Sequence, residues 1–292
     1  MELLPVSDHS TYTTRLSTFP NKIFKMKEGA SMATYQLSDI DWFEWNGVKC
    51  TDYGMHVLSQ PTYVSAAEKV STVDIPGRSG SLTLIEGTDI YSAINLSCSC
   101  VIDDAYYTKD GSSVNRISEI MGWLKGSGNV KFANRTEGYY KGRIANQISF
   151  DQVVRGDPHR VFSVQFQCDP FLYLDEGDTA ITIAKSASPF KLTNKGNCVS
   201  QPLIRLEGTS TGTIMIGNQT MIVNDFSNIS YILLDCEAKI AYKGTKGSAS
   251  DPLTLLGTRV IGEWIQIPTG NPYVTITGGI TKAIITPRWR CR

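Results

Sequence analysis

Between Asn194-Lys195-Gly196-Asn197 and Pro287-Arg288-Trp289-Arg290 the chain is a succession of short β-branched segments. Thr213-Ile214-Met215-Ile216, Tyr231-Ile232-Leu233-Leu234-Asp235, Tyr273-Val274-Thr275-Ile276 and Ala283-Ile284-Ile285 are the clearest. Turns such as Leu206-Glu207-Gly208-Thr209 and Gly270-Asn271-Pro272 separate them. Residues 180–184, 203–206, 220–223, 239–242 and 264–267 follow the same pattern, giving roughly nine short strands at near-even spacing, as in a sandwich or jelly roll. Apolar and polar residues alternate, which fits an antiparallel sheet wet on one side. A β-sandwich this poor in reactive groups is better suited to being built into an assembly than to turning over a substrate.

The turn Asp175-Glu176-Gly177-Asp178 marks the boundary with an upstream domain. There Asp41-Trp42-Phe43-Glu44-Trp45 leads into Asn46-Gly47, a tight-hairpin signal, and the chain returns through residues 48–50. Residues 53–58 and 71–75 read as strands, and 82–84 and 94–102 are expected to continue one sheet. Phe132 and residues 139–144 and 161–166 resume it. One segment changes period: Val114, Ile117, Ile120, Met121 and Leu124 recur at helical spacing. Ser113 is the expected N-cap and Gly126 the stop, giving about four turns over one face of the sheet. Residues 1–31 are polar, end in a basic stretch and lack periodicity; they read as an arm on a neighbouring subunit or a disordered leader, with Met32 as a second natural start.

Charge and cysteine content narrow the function. The 292 residues carry 28 Lys+Arg against 28 Asp+Glu, so no basic excess steers the chain toward nucleic acid or an anionic membrane, and neutrality favours self-association. Seven cysteines, an odd and scattered set, do not frame a disulfide scaffold. Cys98 and Cys100 should share one face of a strand as small buried hydrophobes, since no second pair or nearby histidine completes a metal site. A reducing compartment suits such a chain. No apolar run is long enough for a membrane-spanning helix, and Met1 to Asp8 has neither a basic nor an apolar signal region.

Candidate chemistry is sparse. His9, His56 and His159 have no local nucleophile or metal partner, and neither a nucleophile elbow nor an HExxH helix occurs. Gly77-Arg78-Ser79-Gly80 lacks phosphate-loop spacing and reads as a glycine turn, from which Arg78 can reach a partner's carboxylate. Asp103-Asp104 and Asp175-Glu176-Gly177-Asp178 lack EF-hand spacing. Trp123, Trp264, Tyr106-Tyr107 and Tyr139-Tyr140 would suit a glycan groove, although such aromatics more often serve cores and interfaces. No cofactor, metal site or enzymatic activity is expected.

Three stretches together resemble the distal tail proteins of long-tailed bacteriophages and related tail-like particles. The first is Phe43-Glu44-Trp45-Asn46-Gly47 with Tyr53-Gly54-Met55. The second is Val73-Asp74-Ile75-Pro76-Gly77-Arg78-Ser79-Gly80-Ser81-Leu82, similar to the family's Pro-Gly-Arg-x-Gly turn. The third begins with residues 194–197 and Gln201-Pro202-Leu203-Ile204-Arg205-Leu206-Glu207-Gly208, passes through Ala241-Tyr242-Lys243-Gly244 and Gly262-Glu263-Trp264, and ends at Ile285-Thr286-Pro287-Arg288-Trp289.

The resemblance implies a mainly β protein with a ring-forming β domain with one α-helix (32–174) and a galectin-like β-sandwich (175–292), preceded here by the leader (1–31). It implies a hexameric ring in the virion, at the tail tip or baseplate, made in the bacterial host cytoplasm. The ring would join the tail tube protein to a tail-associated hub protein and give receptor-binding proteins a platform, while DNA passes without specific binding. Pro76, Gly77, Arg78, Ser79 and Gly80 would belong to the ring interface. The alternative is a carbohydrate-binding adhesion module for host cell-wall or surface glycans; the spacing leaves no room for the carbohydrate-binding insertions of some relatives. The departures are the leader and an enlarged Gly/Ser/Thr loop at 243–257.

Overall fold

The computed structural model of the protein describes residues 40–85, 90–102, 105–152, 159–224, 226, 229–244, 254–255 and 260–292. The leader, Asp103-Asp104 and most of the 243–257 loop lie outside the described residues.

The first half is ordered as β1 (Phe43–Trp45), β2 (Val48–Lys49), β3 (Met55–Ser59), β4 (Val70–Asp74), β5 (Ser81–Ile85), β6 (Ile94–Ile102), β7 (Tyr106–Lys109), β8 (Ser112–Asn115), α1 (Arg116–Trp123), β9 (Ser127–Phe132), β10 (Arg135–Ile144), β11 (Asp151–Gln152), β12 (Arg160–Cys168) and β13 (Leu172–Leu174). Its main sheet runs β2-β1-β9-β10-β12-β6-β3, all antiparallel. Asn46 and Gly47 both have positive φ, 53° and 81°, as the tight β1–β2 turn requires. The period-two pattern is strongest where β6 meets β12 from Ile94↔Cys168 to Ile102↔Arg160. Leu96, Cys98, Cys100, Val164 and Phe166 face inward and are buried. Against this apolar face α1 places buried Ile120 and the adjoining Leu124, each contributing roughly 1.5–3 kcal/mol. Trp123 stacks on Phe43 and Tyr53 at 5.7 and 4.7 Å.

Two readings are corrected here. The helix is shorter than its apolar spacing suggests, because residues 112–115 are strand β8. The Asp110-Gly111 turn, with φ of 50° and 77°, folds β8 back on β7. Asn115 rather than Ser113 is the N-cap, its Oδ1 accepting from the amides of Ile117 (3.0 Å) and Ser118 (3.3 Å). Nor does β5 continue the main sheet: among the described residues β4 and β5 pair only with each other.

The second half contains β14 (Ile181–Ala184), β15 (Phe190–Lys191), β16 (Leu203–Ile216), β17 (Gln219–Val223), β18 (Tyr231–Asp235), β19 (Ile240–Gly244), β20 (Thr254–Leu255), β21 (Val260–Gly262), β22 (Tyr273–Thr286) and β23 (Arg290–Cys291). What the sequence presents as four short strands is two long ones, β16 and β22. Residues 203–206 of β16 pair with β18, and 212–216 pair with β17. Between these parts the β16–β22 register shifts twice, around Gly208 and Gly212. Such bulges let a strand pass from one layer of a sandwich to the other. Glycine is required at the crossing: a Cβ on Gly212 would lie 2.6 Å from Ile280, and one on Gly278 2.6 Å from the Thr211 carbonyl oxygen. Ile204 and Leu206 from one part, and Ile214, Ile216 and Val274 from the other, then meet in one core. Residues 264–267 are not a strand: Ile267 makes only an isolated bridge to Ser200, while Ile265 and Ile267 are fully buried plugs.

The chain then returns to the first half. Trp289 is buried in the sandwich core, and β23 pairs with β13, which pairs with β10. All described residues belong to one compact unit spanning residues 37–292.

Candidate assembly surfaces

The predicted Pro76, Gly77, Arg78, Ser79 and Gly80 turn is the tip of the β4–β5 hairpin. Its register runs from Val70↔Ile85 to Asp74↔Ser81, and every residue from 70 to 80 is exposed. Gly77 and Gly80 have φ of 83° and 80°, and the Arg78 amide closes the turn on the Ile75 carbonyl at 3.1 Å. Glycine supplies the left-handed backbone there at no steric cost. Cross-strand partners share a face, so Val73 pairs with Leu82 on one side, while Val70 lies on the other with the Thr72 and Thr83 pair, and both faces expose a valine. Of the thirteen exposed large hydrophobics among the described residues, seven lie from Leu58 to Ile90, in this hairpin and the segments flanking it. A two-stranded hairpin with exposed apolar residues on both faces is marginal in water and suits a partner surface.

A second surface lies on the main sheet's outer face. Three successive β6–β12 pairs are uncharged and polar: Ser99↔Ser163, Ser97↔Gln165 and Asn95↔Gln167. Asn146 extends the ladder, donating to the Ser163 carbonyl (2.8 Å) and accepting from the Gln165 amide (2.8 Å). This face is wet, and the three pairs are themselves uncharged, with the Arg143 guanidinium bonded to Gln167 at the end of the ladder. The alternation in Asn95-Leu96-Ser97-Cys98-Ser99 carries this signal in the sequence.

Where the halves meet, charges are paired. Lys141 Nζ lies 3.0 Å from each carboxylate oxygen of Glu237, and the Tyr173 hydroxyl donates to Glu237 at 3.3 Å. Arg288 Nη1 reaches Asp235 at 2.9 Å and Glu237 at 3.2 Å. Burial pushes the Asp235 carboxyl up, but hydrogen bonds from Arg288 and the Ala238 and Glu237 amides outweigh it and hold the pKa below the ordinary value. Burial raises Asp169 against the pull of Lys141. The acidic 175–178 turn is structural: Asp175 pairs with Lys131, and Asp178 accepts from Tyr139 at 3.0 Å. An open depression of about 530 Å³ beside this seam is lined in part by Lys141, Arg143, Gln167 and Asp169. Arg143 is occupied there by Gln167, at 2.9 and 2.7 Å.

The sequence did not single out the seam residues, because they lie far apart along the chain. The aromatic candidates for a glycan groove are divided between the two halves. Trp123 packs on the first core and Trp264 against the second, Tyr139 stacks on Tyr173 at 5.8 Å, and Tyr140 is buried. Cys98 and Cys100 do share a face, with Sγ atoms 3.8 Å apart, and His56 Nδ1 meets Asp41 at 2.7 Å. Among the described residues no group of three or more His, Cys, Asp or Glu side chains is arranged to hold a metal, and no helix is long and apolar enough to cross a membrane. Residues 153–158, beside His159, lie outside the described residues.

With this topology in hand, the chain matches a solved phage protein, the Dit (gp 19.1) protein of SPP1. The match covers 84% of this chain and 98% of that one, at 18% identity and a TM-score of 0.57. The two share a fold. SPP1 Dit is described as a paradigm of the hub adsorption apparatus in phages infecting Gram-positive bacteria. A chain of the phage p2 baseplate in its activated conformation with Sr aligns over 80% of this chain and 91% of its own length, at 10% identity and a TM-score of 0.39. No protein-family model and no curated protein sequence matches.

Proposed function

We propose that this chain is a structural, non-enzymatic distal tail protein of a phage or phage tail-like particle, acting at the tail tip or baseplate. In this reading residues 32–174 form a hexameric ring and residues 175–292 an outward galectin-like sandwich. The observation that carries it is the exposed β4–β5 hairpin, whose uncovered Val70, Val73 and Ile75 need a neighbour. The fold shared with a protein described as a hub supports it. Heterologous contacts repeated around a closed ring would cover the arm of every copy and leave no growing end.

The ring would join the tail tube protein to a tail-associated hub protein, and its sandwiches would offer receptor-binding proteins a repeated platform. The polar ladder at Asn95, Ser97, Ser99, Ser163, Gln165 and Gln167 suits a channel wall past which DNA moves without specific binding. Arg78, at the tip of the arm, would meet a carboxylate of the next copy. Arg78→Glu is therefore expected to weaken self-association roughly tenfold at matched concentration, without changing the protomer's circular dichroism. Unchanged assembly would remove Arg78 from the interface.

A further inference from the structure

Among the described residues the β4–β5 arm has no other strand partner, so its direction is set where it joins the main sheet. The entering leg is held by an arginine that ion pairing does not explain. Arg135, at the start of β10, is only 3% exposed. Its partners among the described residues are neutral: Nη1 donates to the Tyr140 hydroxyl and Nη2 to the Thr62 carbonyl at 3.2 Å, while Nε is buried without a partner. Two aromatic faces cover the cation, Tyr63 at 4.1 Å and Tyr140 at 5.3 Å. A buried guanidinium lacking a carboxylate is costly, and ring faces offset only part of that cost.

Tyr63 is 75% exposed, yet it is pinned. Its hydroxyl donates to the Asn134 carbonyl at 2.9 Å, and Asn134 Nδ2 donates to the Pro61 carbonyl at 3.0 Å. Residues 61–63 are thus tied to the β9–β10 turn just before the arm departs. The returning leg has a counterpart: Tyr91, bridged to Glu68, accepts from Arg292 Nη1 at 3.1 Å and packs edge-on against Phe171.

We propose that Arg135 and Tyr63 form a positioning clamp that aims the arm. The costly buried cation then has a use that protomer stability alone does not supply: it fixes the exposed ring, and with it the leg. The inference rests on the assembly reading only for what the arm is aimed at.

The test uses the full chain with Cys291→Ser and spin labels at Ser79→Cys, on the turn, and Ser97→Cys, on the sheet. The parent should give a narrow distance distribution. Tyr63→Ala and Arg135→Met should broaden it at least twofold, while Tyr63→Phe, which keeps the ring face but loses the hydroxyl bond to Asn134, should broaden it less than Tyr63→Ala. A parent that is already broad, or a Tyr63→Ala distribution as narrow as the parent's, overturns the clamp. So does a lowered thermal midpoint without broadening, the mark of a merely structural contact. Should Arg135→Met fail to fold, Tyr63→Ala at its exposed position decides alone. Ring yield in the same samples separates the two readings: a broadened arm with undiminished rings keeps the clamp and removes the arm from the ring contact.

Discussion

Asp235 carries more of the seam than its exposure suggests. Its two oxygens accept from Arg288, and Oδ1 also accepts from the Glu237 and Ala238 amides at 3.1 and 3.2 Å. Replacing it with Asn keeps the shape and loses the charge, and is expected to cost about 2 kcal/mol at pH 7 in urea denaturation. The pH dependence has a definite sign. The folded pKa lies below the ordinary 3.8, so the contribution is complete above that value and is lost as pH falls through the lower folded value. The difference between the parent and Asp235→Asn should therefore be flat from pH 7 to about 5 and shrink below about 4. A difference that grew on acidification would reject the assignment. The cysteines give a second residue-level expectation. Burial pushes the thiols of Cys50, Cys168 and Cys236 up to about 12, and Cys291 is the one cysteine not buried. Iodoacetamide on the folded protein should modify Cys291 alone, with the others reacting only at the unfolding rate. Rapid loss of further thiols, counted by mass spectrometry, would contradict this packing.

At the scale of elements, the crossing strands β16 and β22 decide the sandwich. Gly278 combines a φ of 67° with Thr211 and Gly212 backbone atoms 2.6 and 2.7 Å from where a Cβ would sit. Gly270 has a φ of 88° and open space. Gly278→Ala should lower stability by about 2–3 kcal/mol and Gly270→Ala by about 1, read from urea midpoints. Equal costs would mean that the crossing relaxes more freely than its packing implies. The same strands show what the sequence can and cannot reveal. Period-two alternation exposes 213–216 and 273–276 as strands, because the pattern is local. It cannot show that each continues through a glycine bulge, because the bulge is defined by the partner strand. The helix is legible from Ile117, Ile120 and Leu124, but its start is not, since the Asp110-Gly111 turn claims residues 112–115 for a hairpin. Ile265 and Ile267 alternate like a strand yet serve as core plugs. The Pro76 to Gly80 turn was readable from its glycines; the clamp on the arm was not, because Tyr63 and Arg135 meet only in three dimensions.

At the scale of the whole molecule, a sheet domain with a projecting arm and a sandwich tied to it by β23 gives a body that neighbours can repeat around an axis. Zero net charge removes a barrier to that repetition. The seam ion pairs and the β13–β23 pairing set the sandwich against the sheet domain, so each copy in a ring would present the same outer surface. The most direct test is the native mass of the complete chain across a wide concentration range, by light scattering after size-exclusion chromatography, with electron microscopy of the peak. The account predicts a closed hexameric ring with an open centre, built from 32.2 kDa protomers. A species that keeps the protomer's mass at every concentration, or an open filament, would contradict it.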